Sequence, residues 1–155
     1  MHIRTVAESD LPMLAQLFRE TVLVNAPQHY SSAQTEAWAT VDGDRFQQFI
    51  LGVTTYIAED DTGMLGFAGI GDDGHVAAVY VCHDRLHQGI GSVLMQAVLA
   101  HAHARQIQRL YAEASEFSLG LFQKFGFSQY DTEVVDRHGV QFTRYLMERM
   151  LVETP

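Results

Sequence analysis

Apolar and polar positions change period several times along this chain, and each change marks an element. Ile3 to Val6 alternates briefly and reads as a short first strand. Ser9-Asp10-Leu11-Pro12 offers polar caps and a proline tolerated in a first helical turn. Leu14, Leu17, Phe18, Thr21 and Val22 follow at helical spacing, so this helix buries one face. Asn25 to Ser32 breaks the pattern with Pro27 and two serines. Ser32 can cap a second helix carrying Trp38, and Asp44 a third carrying Phe46, Phe49 and Ile50.

From Thr54 the period falls toward two. Thr55 to Glu59 reads as a strand, Asp60 to Gly63 as a hairpin turn and Met64 to Ile70 as the returning strand. After a turn at Gly71-Asp72-Asp73-Gly74, His75 to Val81 is almost continuously apolar, which predicts a central strand buried on both faces. Gly89 to Arg105 has the longest helical pattern, through Ile90, Val93, Leu94, Ala97, Val98 and His101. A strand at Leu110 to Ala114 and a helix from Ser118 to Phe125, stopped by Gly126, come next. The last two strands, Gln129–Val135 and Val140–Met147, turn through Arg137-His138-Gly139. The order β-α-α-α-β-β-β-α-β-α-β-β predicts an α/β fold: one domain over 1–155, its mixed sheet covered by helices around a central βαβ unit.

Composition narrows the function classes. With 155 residues, 47% of them hydrophobic and 19% charged, the chain can bury a sizeable core. No apolar run approaches the roughly 20 residues that span a bilayer, and the start lacks a signal-peptide layout, so a cytoplasmic protein without membrane contact is expected. The net charge is −9 and no Lys/Arg cluster occurs, which argues against a nucleic-acid partner. Cys82 stands alone, excluding an internal disulfide or a Cys-rich metal site, and reads as a small buried residue. His101 and His103 are two apart on a helix and face different ways; with no H-E-x-x-H, no metal is expected.

The chemistry concentrates in Val79-Tyr80-Val81-Cys82-His83-Asp84-Arg85-Leu86-His87-Gln88-Gly89-Ile90-Gly91-Ser92. A strand runs into a loop, and the loop opens the longest helix through two glycines. Free N–H groups of a first helical turn, together with the helix dipole, make an anion site suited to phosphate or pyrophosphate. A plain entry to a buried helix would look the same. A Rossmann turn fits poorly: Leu94 stands where a third small residue is needed, and seven residues, Cys82 to Gln88, precede the first glycine.

The strand–loop–helix resembles the acetyl-CoA motif of the GNAT superfamily, Q/R-x-x-G-x-G/A. Leu121-Phe122-Gln123-Lys124-Phe125-Gly126-Phe127 is similar to that family's F-Y-E-K-x-G-F segment. Asn25-Ala26-Pro27-Gln28-His29-Tyr30-Ser31, with Trp38, resembles one group of uncharacterised bacterial N-acetyltransferases. The resemblance implies an N-acetyltransferase fold with splayed central strands and acetyl-CoA as cosubstrate. Val79, Tyr80 and Val81 would meet the pantetheine arm, and His87, Gln88, Gly89, Ile90, Gly91 and Ser92 would hold the pyrophosphate. Homodimers are common among small members. Leu86 departs from the usual Gln/Arg, Ser115 from an asparagine that contacts the cofactor and that its hydroxyl could replace there, and Phe122 from the tyrosine that protonates the leaving thiolate. Phe122 has no proton to donate, so a catalytically silent acyl-CoA-binding module is the alternative.

Acetyl transfer to an amine needs a proton acceptor for the ammonium and favours a donor for the thiolate. His75 and Glu113 are candidate bases, and Tyr80 a candidate acid. A turn-flanking histidine, an exposed strand end and a core tyrosine are their respective structural readings. His29, Tyr30 and Trp38 are candidates for the wall of an acceptor pocket, because irregular connections on a rigid scaffold often build binding sites.

Overall fold

Each change of hydrophobic period becomes an element, and the predicted order holds. A computed structural model describes residues 1–151. Its strands and helices follow in the order β1 (His2–Thr5), α1 (Leu11–Asn25), α2 (Ser32–Ala39), α3 (Gly43–Leu51), β2 (Thr54–Asp60), β3 (Gly63–Ile70), β4 (Val76–Val81), α4 (Ile90–Ala104), β5 (Arg109–Ala114), α5 (Leu119–Lys124), β6 (Ser128–Arg137) and β7 (Val140–Met150). Two caps differ from expectation by one or two residues. Ser31 rather than Ser32 caps α2, its hydroxyl accepting the Gln34 N–H at 3.1 Å, and the Gln34 side chain answers by accepting the Ser31 N–H at 2.9 Å. Asp42 rather than Asp44 caps α3.

The strands form two antiparallel sheets, β1-β2-β3-β4 and β5-β7-β6. Among the described residues they are joined by one parallel bridge, His75 to Tyr111, with the Tyr111 N–H donating to the Gly74 carbonyl at 3.1 Å. This is the mixed sheet in splayed form: β4 and β5 touch at one end and diverge toward the other. Gly74 makes the touching point feasible. Its φ is +95°, and a Cβ there would lie 2.0 Å from the Arg109 carbonyl oxygen.

Helices cover both faces of the first sheet. Leu94, Met95, Val98 and Ala102 of α4 are fully buried in a core that includes Val76, Leu110 and Phe122. Leu14, Leu17, Phe18 and Val22 of α1, with Phe46 and Ile50 of α3, pack on Ile57, Phe67 and Ala78 from the opposite side. Burying each such Leu, Ile or Phe contributes roughly 1.5–3 kcal/mol, enough to fix both helical layers on the sheet. Strand β4 alternates between the layers: Val79 and Val81 turn to the α4 side, and Ala78 and Tyr80 to the α1 side. Its expected burial on both faces holds for Val76 and Ala78 only. Val79, Tyr80 and Val81 are half-buried, because a cleft opens along this end of the strand.

Candidate active site

At the end of β4 the chain passes through a loop into α4. Gly89 caps the helix in the left-handed region at φ +81°, where a Cβ would meet nothing within 4 Å. Glycine is therefore demanded by conformation and not by space. The first intrahelical bond runs from the Val93 N–H to the Gly89 carbonyl at 3.1 Å. The N–H groups before it have no helical acceptor, and the helix dipole adds partial positive charge there. Lys124 of α5 brings a full charge to the same place, its Nζ donating to Ser92 Oγ at 2.9 Å. Arg85, His87, Gly89, Ile90, Gly91, Ser92 and Lys124 line a cavity of about 450 Å³ around this turn. Gln88 is exposed and lies outside it.

A larger cleft of about 710 Å³ begins at Val81, Leu86, His87 and Leu121, which line both cavities, and continues along β4. The edge of β4 away from β3 faces this opening, because β5 has diverged. Open strand edge, free helix N-terminus and a lysine thus form one continuous path.

Glu113, near the end of β5, lines the cleft. His75 stands behind it, with Nε2 at 2.9 and 3.0 Å from the two carboxylate oxygens. Two candidates 38 residues apart are therefore one dyad. The ring and its backbone are held by their neighbours. The imidazole stacks on Tyr111 with centroids 4.9 Å apart; the His75 backbone N–H donates to Asp73 at 3.0 Å, and Asp73 in turn accepts the Tyr111 hydroxyl. The hydrogen bond to Glu113 raises the pKa of His75 against the opposing effect of burial. Burial pushes Glu113 upward, yet the His75 hydrogen bond and charge outweigh it and hold the carboxyl below its ordinary range.

Tyr80 projects into the opposite wall. Trp38 Nε1 donates to its hydroxyl at 3.2 Å, and its ring stacks on Phe67 and meets Phe18 edge-on. Burial raises the phenol's pKa, so it stays protonated at neutral pH with its own hydrogen free for the cleft. Phe122 is 3% exposed and packs on Phe127 at 5.0 Å. Phe122 and the Tyr80 hydroxyl line the same cleft.

The three acceptor-wall candidates also lie in this cleft. Tyr30 and Trp38 meet at 5.3 Å, and Phe117 and Phe142 join them; His29 packs on Phe117 at 5.1 Å. The Tyr30 hydroxyl accepts the Glu116 N–H at 3.0 Å, tying this wall to the loop after β5. Ser115 lines the cleft, but its hydroxyl already accepts the N–H groups of Phe117 and Ser118, both at 3.2 Å. Cys82 is half-buried; its thiol donates to Asp84 at 2.9 Å, and burial raises its pKa.

Sequence reasoning missed Lys124, Phe117, Phe142 and three arginines of the cleft, Arg45, Arg137 and Arg144. Lys124 sits inside the Leu121–Phe127 motif, so its neighbourhood is legible in the sequence although its partner Ser92 is not.

Known proteins share this architecture. A GCN5-related N-acetyltransferase from Rhodopseudomonas palustris superposes with a TM-score of 0.92 at 26% identity, covering 97% of this chain and 95% of that one. The PaiA N-acetyltransferase of Thermoplasma acidophilum, solved in complex with coenzyme A, superposes at 0.76 with 18% identity over 96% and 98% of the two chains. In sequence, the uncharacterised N-acetyltransferase YafP of Escherichia coli (strain K12) is 24% identical over 147 residues, 95% of this chain and 94% of its own. A model of the acetyltransferase (GNAT) domain matches residues 26–149, most of the chain. With that match and the splayed β4–β5 cleft together, the chain belongs to the GNAT acetyltransferase family.

Proposed function

We propose that this acetyltransferase uses acetyl-CoA and acetylates a primary amine by direct attack of the amine on the thioester. The observation that carries the reading is the continuous path from the α4 N-terminus, along the open edge of β4, to the Glu113–His75 dyad. Acetyl-CoA supplies the activated acetyl group when bound. The residues present fit it: the N–H groups from His87 to Ser92 and the Lys124 ammonium suit a pyrophosphate, and Val79 to Val81 offer backbone partners to an extended amide chain.

Glu113 faces the cleft as an ionised carboxylate and orients the acceptor's ammonium. With His75 neutral, the pair carries one negative charge and accepts one proton as a unit, freeing the amine lone pair. Tyr80 is the proton donor for the departing thiolate. Backbone N–H groups on the open edge of β4 stabilise charge on the carbonyl oxygen. No covalent acyl-enzyme is required, which agrees with a Cys82 thiol held protonated by burial.

Thiol release from acetyl-CoA, measured over a panel of amines, tests this. Turnover is expected, and Glu113→Gln should lower kcat by about 10²-fold or more. Acetyl-CoA binding without release on any amine would support a silent binding module instead, as Phe122 allows.

A further inference from the structure

The acceptor half of the cleft carries charges that the transfer step does not use. Arg45, Arg137 and Arg144, three of the chain's ten Lys and Arg residues, line it, although the net charge is −9. Arg144 is neutralised by Glu133. Arg45 and Arg137 have no ion-pair partner among the described residues. The acidic groups of the same cleft are committed. Asp42 accepts the Asp44 and Arg45 backbone N–H groups at 3.1 and 3.3 Å, Glu116 accepts the Tyr145 hydroxyl, and Glu113 is held by His75. None of the three arginines borders the cavity at the α4 N-terminus, so they stand apart from the phosphate end.

Tyr30, Trp38, Phe117 and Phe142 add an apolar wall, with ring centroids 5.3 to 6.4 Å apart. We infer that the acceptor is a small amine with an aromatic or bulky apolar body and a carboxylate, the carboxylate taken by Arg45 or Arg137, the two cleft arginines without an ion-pair partner among the described residues. A guanidinium fork matches a carboxylate with two parallel hydrogen bonds. The amine's position beside Glu113 rests on the transferase reading above; the choice of an anionic acceptor rests on the arginines.

Matched pairs of amines that differ only in the carboxylate separate the two: phenylalanine with phenethylamine, tryptophan with tryptamine, 4-aminobenzoate with aniline, and spermidine as the cationic extreme. In the thiol-release assay, the carboxylate member of at least one pair should lead by about tenfold or more in kcat/KM. The Arg45→Gln/Arg137→Gln double variant should bring that ratio near unity through KM. Its CoA-dependent thermal shift monitors folding. The same pairs titrated calorimetrically with CoA present read binding without chemistry. Carboxylate-selective binding without turnover would uphold this inference and overturn the transferase reading. Turnover that favours the decarboxylated amines or spermidine would do the reverse. An unchanged ratio in the double variant, or no binding of any carboxylate member, overturns the inference.

Discussion

Glu113 and His75 acquire their chemistry from each other. The hydrogen bond that raises His75 makes the dyad take up a proton above the ordinary histidine value of roughly 6.5. A protonated dyad cannot accept the amine's proton, so kcat/KM should fall as pH drops through that raised value. In Glu113→Gln the inflection should move back toward roughly 6.5; a pH profile identical in both proteins would separate His75 from the reaction. His101 behaves oppositely. It is buried in α4 with Nδ1 2.8 Å from the Tyr56 hydroxyl and Nε2 without a partner among the described residues, and burial lowers its pKa. Below roughly 6.5 the unfolded chain binds the proton more readily, so His101 removes stability as pH falls through that window. His75 contributes stability that is complete below roughly 6.5 and is lost as pH rises through its raised value. Urea titrations from pH 8 to 5 should therefore show a shallower acid loss in His101→Gln than in the parent. That variant should also lose about 1–2 kcal/mol at neutral pH with its buried hydrogen bond. Single residues were legible in the sequence as types, His75 and Glu113 among them, but nothing in a linear pattern links positions 38 apart.

At the scale of elements the hydrophobic period was a good guide, because most of the stability of these helices comes from one apolar face on a sheet. Caps slipped where the sequence offers neighbouring candidates, Ser31 beside Ser32 and Asp42 near Asp44. Periodicity also could not show the divergence of β4 from β5. Their side chains alternate like those of a closed sheet, and the opening is set by backbone contact at Gly74. The N-terminus of α4 was legible from its glycines; Lys124 was not, since it arrives from α5. Charge at this point should matter for CoA. Lys124→Gln is expected to weaken CoA binding about three- to tenfold at low salt, with a smaller penalty at 0.5 M salt, where screening already weakens the lysine's attraction in the parent. Equal affinity of both proteins at low salt would remove Lys124 from the phosphate site.

The whole molecule sets two helical layers against a sheet parted along one seam, and Glu113 and Tyr80, the proposed base and acid, line that seam. None of the helices among the described residues is long and apolar enough to cross a membrane. The fold gathers Arg45, Arg137 and Arg144 from three separate elements into the cleft of a chain whose net charge is −9. The seam itself is the central claim, since it is what distinguishes a CoA cleft from a dinucleotide crevice. Thermal unfolding with CoA, acetyl-CoA or NAD, each at about a hundred times its dissociation constant or at matched millimolar excess, reads it directly. Binding at that ratio adds roughly 2.7 kcal/mol, or about 5–10 °C in Tm for a domain of this size. The account predicts such a shift with CoA and acetyl-CoA and none with NAD. A shift with NAD alone, or with no ligand, would contradict it.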